Sequence, residues 1–153
     1  MAYIKYKELT KYFDFSKHIK TCDLPWYIHD YVYEDEEILV GYKTFRDHGI
    51  FTTDKIVLFD NRLSVRPFKK IYTIPYKSIS SCSILYRPGE VELQFDLESG
   101  YQLRLKFVSM NKEHKARLRT LYSYITQYTL GKKISRALID SLIEDKIDIK
   151  EGK

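Results

Sequence analysis

"IYTIPYKSIS", Ile71 to Ser80, alternates bulky and polar residues as a β-strand does, yet carries Pro75 in its middle. Proline has no amide hydrogen to give a ladder, so within sheets it is confined to edges, strand ends and bulges. The next turn decides where it belongs. Closing Arg87-Pro88-Gly89-Glu90 as a hairpin sets Tyr86 against Val91, Ile84 against Leu93 and Cys82 against Phe95, which makes Cys82 a core residue and starts a strand near Ile79. The chain therefore has to leave one sheet and enter another between Ile74 and Ser78. Pro75 reads as that corner, with Tyr76 and Lys77 in the bend and Ser78 placed to hydrogen-bond the turn.

Working outward, seven strand-like segments are expected: 36–45, 48–52, 55–60, 69–74, 79–86, 90–98 and 102–108, with turn chemistry at Thr53-Asp54, Asn61, Pro88-Gly89 and Ser99-Gly100. Opposing Leu97 with Leu103 aligns Phe95 with Leu105 and Leu93 with Phe107, and sets Asp96 against Arg104 and Gln94 against Lys106 on the outer face. After the strands, Ser109 or Asn111 caps a helix with Leu118, Leu121, Tyr122, Ile125 and Tyr128 on one face, ended by Gly131. Ile134, Leu138 and Leu142 mark a further helix whose Lys132, Lys133 and Arg136 precede Asp140, Glu144 and Asp145, an order that opposes the helix dipole. At the other end, Ile4, Leu9, Tyr12, Phe13 and Ile19 recur at spacings of three and four, predicting a short helix. A second helix is expected over 26–33, after Asp23-Leu24-Pro25. Three zones result: an N-terminal helical segment (1–35), a body (36–130), and a C-terminal helix and tail (131–153). The fold class is mainly β (α+β): a bent barrel of seven antiparallel strands in two sheets, four then three, capped by a helix.

At this point the sequence resembles a known family. "RDHGIFTTDKIVLFD" (46–60) and "YTIPYKSIS" (72–80) are similar to the bacterial pleckstrin-homology-like (PH-like) family, whose pattern runs Asp, hydrophobic pair, Phe-Thr, turn, basic residue, hydrophobic strand, then Ile-Pro-Tyr-Lys-Ser-Ile. The matching positions are Asp47, Ile50, Phe51, Thr52, Lys55, 56–59 and 74–79. Lys55 stands where the family more often has arginine. The resemblance covers roughly 34–108, with the helix to 130 in the place of the family's own. It implies the PH-like barrel, a binding rather than catalytic role, and self-association, since family members are associated with homo-oligomeric rings.

Composition sets the outer limits. The 153 residues suffice for one core, and 14 Tyr and 8 Phe, with alanine confined to Ala2, Ala116 and Ala137, favour strands. Two distant cysteines, Cys22 and Cys82, fit a reducing, cytoplasmic setting, and residues 1–9 contain no apolar signal region. The wealth of Lys, Ile and Tyr hints at an AT-rich genome, bacterial or phage. No phosphate-cradling glycine pattern, Gly-x-Ser-x-Gly or His-Glu-x-x-His occurs, so no catalytic residue, cofactor or small-molecule substrate is assigned. His18, Cys22 and His29 lack the regular spacing of a metal site, so none is assigned. Asp47 and His48 neighbour one another, but adjacent strand residues face opposite ways, and Asp47 is read as a turn acceptor.

The net charge of +5 leaves a polyanion ligand open. In eukaryotic proteins of this fold, phosphoinositides are held by a basic residue ending one strand and two opening the next; Lys43 and Arg46 are present, then Asp47 and His48, so the third basic position is missing. The anionic-surface candidates are Lys43, Arg46, Arg62, Arg66, Phe68, Lys69 and Lys70, the last five forming a basic loop with an apolar wedge. Lys112, Lys115, Arg117 and Arg119 offer a nucleic-acid face on the first C-terminal helix. The expectation is a non-enzymatic module acting through protein contacts, with itself or a partner. Peripheral binding to anionic lipid through loop 62–70 stands second, and nucleic-acid binding third.

Overall fold

The computed structural model describes residues 11–44, 47–62 and 68–143, and the backbone alone of 11, 12, 61, 62, 68 and 69. Its strands are β1 (Lys11–Ile19), β2 (Ile38–Thr44), β3 (His48–Thr52), β4 (Lys55–Arg62), β5 (Phe68–Pro75), β6 (Ile79–Arg87), β7 (Glu90–Leu97) and β8 (Gln102–Val108), followed by helices α1 (Lys112–Thr129) and α2 (Arg136–Ile143). All seven expected strands are present. An eighth, β1, lies where a helix was expected, and it changes the architecture: it pairs antiparallel with β2 and parallel with β8. The two meanders thereby fuse into one eight-stranded sheet, ordered β5-β4-β3-β2-β1-β8-β7-β6, in place of two sheets.

The error over β1 has a physical source. Phe13 and Phe15 point inward at strand spacing, but the register shifts between Phe15 and Lys17, so the next inward residue is His18, opposite Tyr42. A β-bulge of this kind puts a step of three into a period of two and imitates a helical turn. The proposed helix at 26–33 is a 3₁₀ segment, Trp26–Tyr31, preceded by another at Thr21–Asp23. Ile4 and Leu9 lie outside the described residues.

Two apolar layers hold the sheet. Inside, Phe15 stacks on Phe107 at 4.8 Å, Tyr42 and Phe51 join them, and Leu118, Leu121, Tyr124 and Ile125 of α1 close the barrel. Outside, Leu24 and Ile28 cover Ile38, Ile50, Val57 and Phe59. The β2–β4 region is thus buried on both faces, which accounts for the unbroken runs Ile38-Leu39-Val40 and Ile56 to Phe59. The approach is close: a Cβ on Gly49 would lie 2.6 Å from the Phe15 ring, and one on Gly41 would lie 2.9 Å from Leu24.

The β6–β7 register is the expected one, with Cys82 opposite Phe95, though Cys82 is half-buried rather than enclosed. Between β7 and β8 the pairing slips by two: Phe95 meets Leu103, Leu93 meets Leu105, and Gln94 meets Arg104. The turn begins earlier than Glu98, since Leu97 donates to the Tyr101 carbonyl and Gly100, at φ +97°, donates back to Leu97. A slip of two keeps every side chain on its face. Glu92, not Gln94, now stands opposite Lys106.

Pro75 ends β5 and a 3₁₀ turn, Tyr76–Ser78, leads into β6 at Ile79, as a corner requires. Tyr76 N–H donates to the Asp54 carbonyl, so in the alternating ladder the positions of Ile71, Thr73 and Pro75 direct their backbone groups away from β4. Proline costs no ladder donor there. Ser78 Oγ donates to the Pro75 carbonyl at 2.7 Å.

Beside this corner lies a buried ion pair. Lys55 Nζ donates to Glu36 Oε1 at 2.9 Å, with Tyr33 N–H on the same oxygen and Thr52 Oγ1 on the other. Burial would raise the Glu36 carboxyl, but these hydrogen bonds and the Lys55 charge outweigh it and hold the group below its ordinary range. The phenols of Tyr76 and Tyr124 donate to the Thr52 and Thr53 carbonyls, so the β3–β4 turn is fastened to both the corner and α1. Asn111 caps α1 through His114 N–H, and Gly131 (φ +74°) follows its end. Arg136 meets the dipole penalty of α2 by forking onto Glu37 and reaching Asp140, while Leu142 is buried.

Two outcomes are expected. Gly49→Ala lowers stability by about 1–3 kcal/mol by overpacking, and a double-mutant cycle with Phe15→Leu shows the loss to be smaller when the ring is gone. Lys55→Met leaves Glu36 buried without its cation and costs about 3–5 kcal/mol, while Glu36→Gln/Lys55→Met costs less than Lys55→Met alone. The Glu36 contribution is present above the ordinary carboxylate range and is lost as pH falls through the lowered native value. Guanidinium midpoints at about pH 7 and about pH 4 therefore draw Lys55→Met and wild type together on acidification.

Candidate binding site

The sheet has two terminal strands, and the fold treats them differently. On β6, α1 reaches two carbonyls: Tyr122 Oη donates at 3.1 Å to that of Cys82, which faces outward, and Lys115 Nζ donates at 2.8 Å to that of Arg87, at the turn into β7. No described element packs along the outer edge of β5. Ile71 and Thr73 present their N–H and C=O groups there, and Thr73 is exposed.

Beside that edge is a groove of about 370 Å³, between β5, the start of β1 and the β7–β8 turn. Its floor is Leu58, Leu103 and Ile74, all buried. Phe13 of β1 meets Tyr72 of β5 edge-on at 5.7 Å, and Leu97 adds a further apolar wall. The rim is polar and exposed, with Lys70, Thr73, Ser99 and Tyr101. Lys70 Nζ rests 4.9 Å from the Tyr72 ring centroid. A second cleft, about 380 Å³, lies over the Glu36–Lys55 pair and is lined also by Tyr33, Asp54, Lys77 and Tyr128. Burial, reinforced by the charges of Glu36 and Asp35, holds the Asp54 carboxyl above its usual range.

The predicted anion-binding residues do not form one surface. Lys70 belongs to the groove rim, and Lys43 is exposed on β2, three strands away in the sheet order. Arg46 and Arg66 lie outside the described residues. Of Arg62, Phe68 and Lys69 only the backbone is described, with Arg62 opposite Phe68 and Asn61 opposite Lys69 at the end of the β4–β5 ladder. What the sequence concealed is Lys17. It pairs with Lys43, which pairs with His48, so three basic side chains stand in a row on one face of β1, β2 and β3. The signal was present in the Phe13–Phe15 alternation, but the bulge hid the strand that carries it.

Asp47 and His48 do touch. Asp47 sits in the bend before β3, free of strand alternation, and its Oδ1 lies 3.1 Å from His48 Nδ1 while accepting from Tyr27 Oη at 2.5 Å. Burial, and then the bond to Asp47, push the Tyr27 phenol far up. His18 lies between the Tyr42 and His114 rings, whereas Cys22 and His29 are exposed on the 3₁₀ segments. Among the described residues no three metal-ligating side chains are gathered, and no helix is long and apolar enough to cross a membrane. On α1, Lys115 is engaged with the β6 edge and Arg117 Nη1 lies 3.2 Å from His114 Nδ1.

Comparison with known proteins agrees with the fold. No curated protein matches the sequence. Among solved structures, a DUF1696 family protein with a pleckstrin-homology domain from Shewanella loihica PV-4 is similar at 15% identity and a TM-score of 0.58, covering 74% of this chain and 96% of that one. A PH domain-containing protein from Exiguobacterium sibiricum 255-15 is similar at 19% identity and a TM-score of 0.56, over 76% of this chain and 61% of that one. At such identities the likeness is one of fold. The family model for the bacterial PH domain matches residues 10–129, from the residue before β1 to the last residue of α1. With the match spanning the whole sheet and its capping helix, this chain belongs to the bacterial PH domain family.

Proposed function

We propose that the chain is a non-catalytic recognition and assembly module working through protein contacts, self-association included, and that its binding element is the open edge of β5. The observation that carries this is the difference between the two edges. α1 meets the outward Cys82 carbonyl of β6 and the Arg87 carbonyl at its turn, whereas β5 is left with its outward backbone groups beside an apolar groove. An extended segment laid along β5 gains main-chain hydrogen bonds, and its alternate side chains enter the groove. Lys69 and Lys70 at one end and Pro75 at the other are the residues by which natural sheets blunt an edge against indiscriminate pairing.

A second reading is favoured by a separate feature. Trp26 is 78% exposed and meets Tyr27 edge-on, and Tyr27 binds Asp47 beside His48. An exposed indole near the Lys17–Lys43–His48 row suits peripheral attachment to an anionic bilayer, each basic group contributing about 1 kcal/mol. This moves the lipid reading from loop 62–70 to the β1–β2–β3 row.

Selection of displayed random peptides on the protein tests the first reading. Enriched peptides are expected to lose binding on Thr73→Pro, which removes an outward N–H, with the thermal midpoint of the variant checked alongside; enrichment indifferent to that change refutes the edge. For the second, the protein is expected to sediment with anionic but not neutral vesicles at low salt, and Lys17→Ser/Lys43→Ser to weaken this roughly thirtyfold. Equal sedimentation with both vesicle types, or none, removes it.

A further inference from the structure

Strand addition at β5 leaves open what sequence the edge selects, and the inward side chains of β5 answer that question. Lys70, Tyr72 and Ile74 share the inner face at two-residue intervals. A segment hydrogen-bonded to the outward groups of Ile71 and Thr73 places its own inward residues opposite those three positions, since directly opposed residues in a ladder share a face. Opposite Tyr72 and Ile74 is the groove, whose floor of Leu58 and Leu103 is apolar. Its volume of about 370 Å³ has room for one or two large side chains. Opposite Lys70 is a cationic rim.

The charge of the edge narrows the choice. From Phe68 to Ser78 the chain carries Lys69, Lys70 and Lys77 and no carboxylate. Asp60 stands opposite Lys70 on β4, on the same face, and offsets part of that charge. A second copy of β5 would bring further lysines into the same ribbon. A lipid tail would leave the backbone groups of Ile71 and Thr73 without partners. An acidic peptide meets both requirements.

We propose that the β5 groove recognises an extended protein segment of the pattern apolar-x-apolar-x-acid, running antiparallel to β5. The two apolar residues fill the groove opposite Ile74 and Tyr72, and the carboxylate meets Lys70. The proposal rests on the strand-addition reading above and adds to it the chemistry of the partner.

The test is fluorescence anisotropy with labelled, end-blocked heptapeptides on the full chain. The parent probe is Thr-Phe-Thr-Leu-Thr-Glu-Thr; one control replaces its Glu by Lys and another replaces both apolar residues by Ser. The parent is expected to bind, the Lys control at least tenfold more weakly, and the Ser control not measurably. Lys70→Glu, an exposed change that leaves the floor intact, is expected to reverse the preference between the parent and the Lys control, and Thr73→Pro to abolish binding of both. Equal binding of parent and Lys control, both lost on Thr73→Pro, overturns the proposed chemistry while strand addition stands. Binding that survives Thr73→Pro overturns the strand-addition reading and the proposal with it. Absence of binding by the parent overturns the proposal, and the displayed-peptide selection then decides separately whether the edge binds any segment.

Discussion

The structure depends on β1 being hydrogen-bonded on both sides. Without it β2 and β8 would each end in a row of unpaired backbone groups, and the molecule would be two meanders linked at Pro75. With it, Phe15 lies on Phe107 and over Gly49, so a single side chain joins both halves of the sheet to one core. A residue with a side chain at 49 would hold that ring away, and the meeting of the two halves would be lost with it.

Once the sheet is continuous, its halves meet solvent differently. The β2–β5 half is covered outside by Leu24 and Ile28 and inside by the barrel core. The β6–β8 half keeps a polar outer face, where Glu92 interacts with Arg87 and Arg104, and Glu90 with Arg87 and Lys106. α1 packs where these strands would otherwise stop. The helix bonds to one terminal strand and leaves the other, and the Glu36–Lys55 pair with Tyr76 and Tyr124 fixes the corner between them. The open groove therefore follows from the way the barrel is closed.

Much of this could be read from residue order, and what could not has a common cause. Local signals were reliable: the hairpin at Pro88-Gly89 set the β6–β7 register, Asn111 and Gly131 bounded α1, and Pro75 marked the corner. Features that depend on distant partners were not legible. The place of β1 is set by β8, and its bulge disguised the alternation. The β7–β8 slip came from a turn that opens at Leu97, two residues before the Ser99-Gly100 signal. The outer apolar layer left a trace in the runs at 38–40 and 56–59, which have no polar face to turn to solvent. The candidate site was the least visible, because its lining comes from β1, β4, β5 and β8, and among the predicted residues whose side chains are described only Lys70 reaches it.

The parallel ladder between β1 and β8 also sets an order of events. Lys11 pairs with Leu103, about ninety residues later in the chain, and contacts so far apart in sequence form late because the intervening loop must close first. β1, made before β8 at the ribosome, thus waits for it before its second ladder can form. Until then Phe13 and Phe15 remain open to other sheet edges, and the interval before β8 emerges is when a chaperone has most to protect.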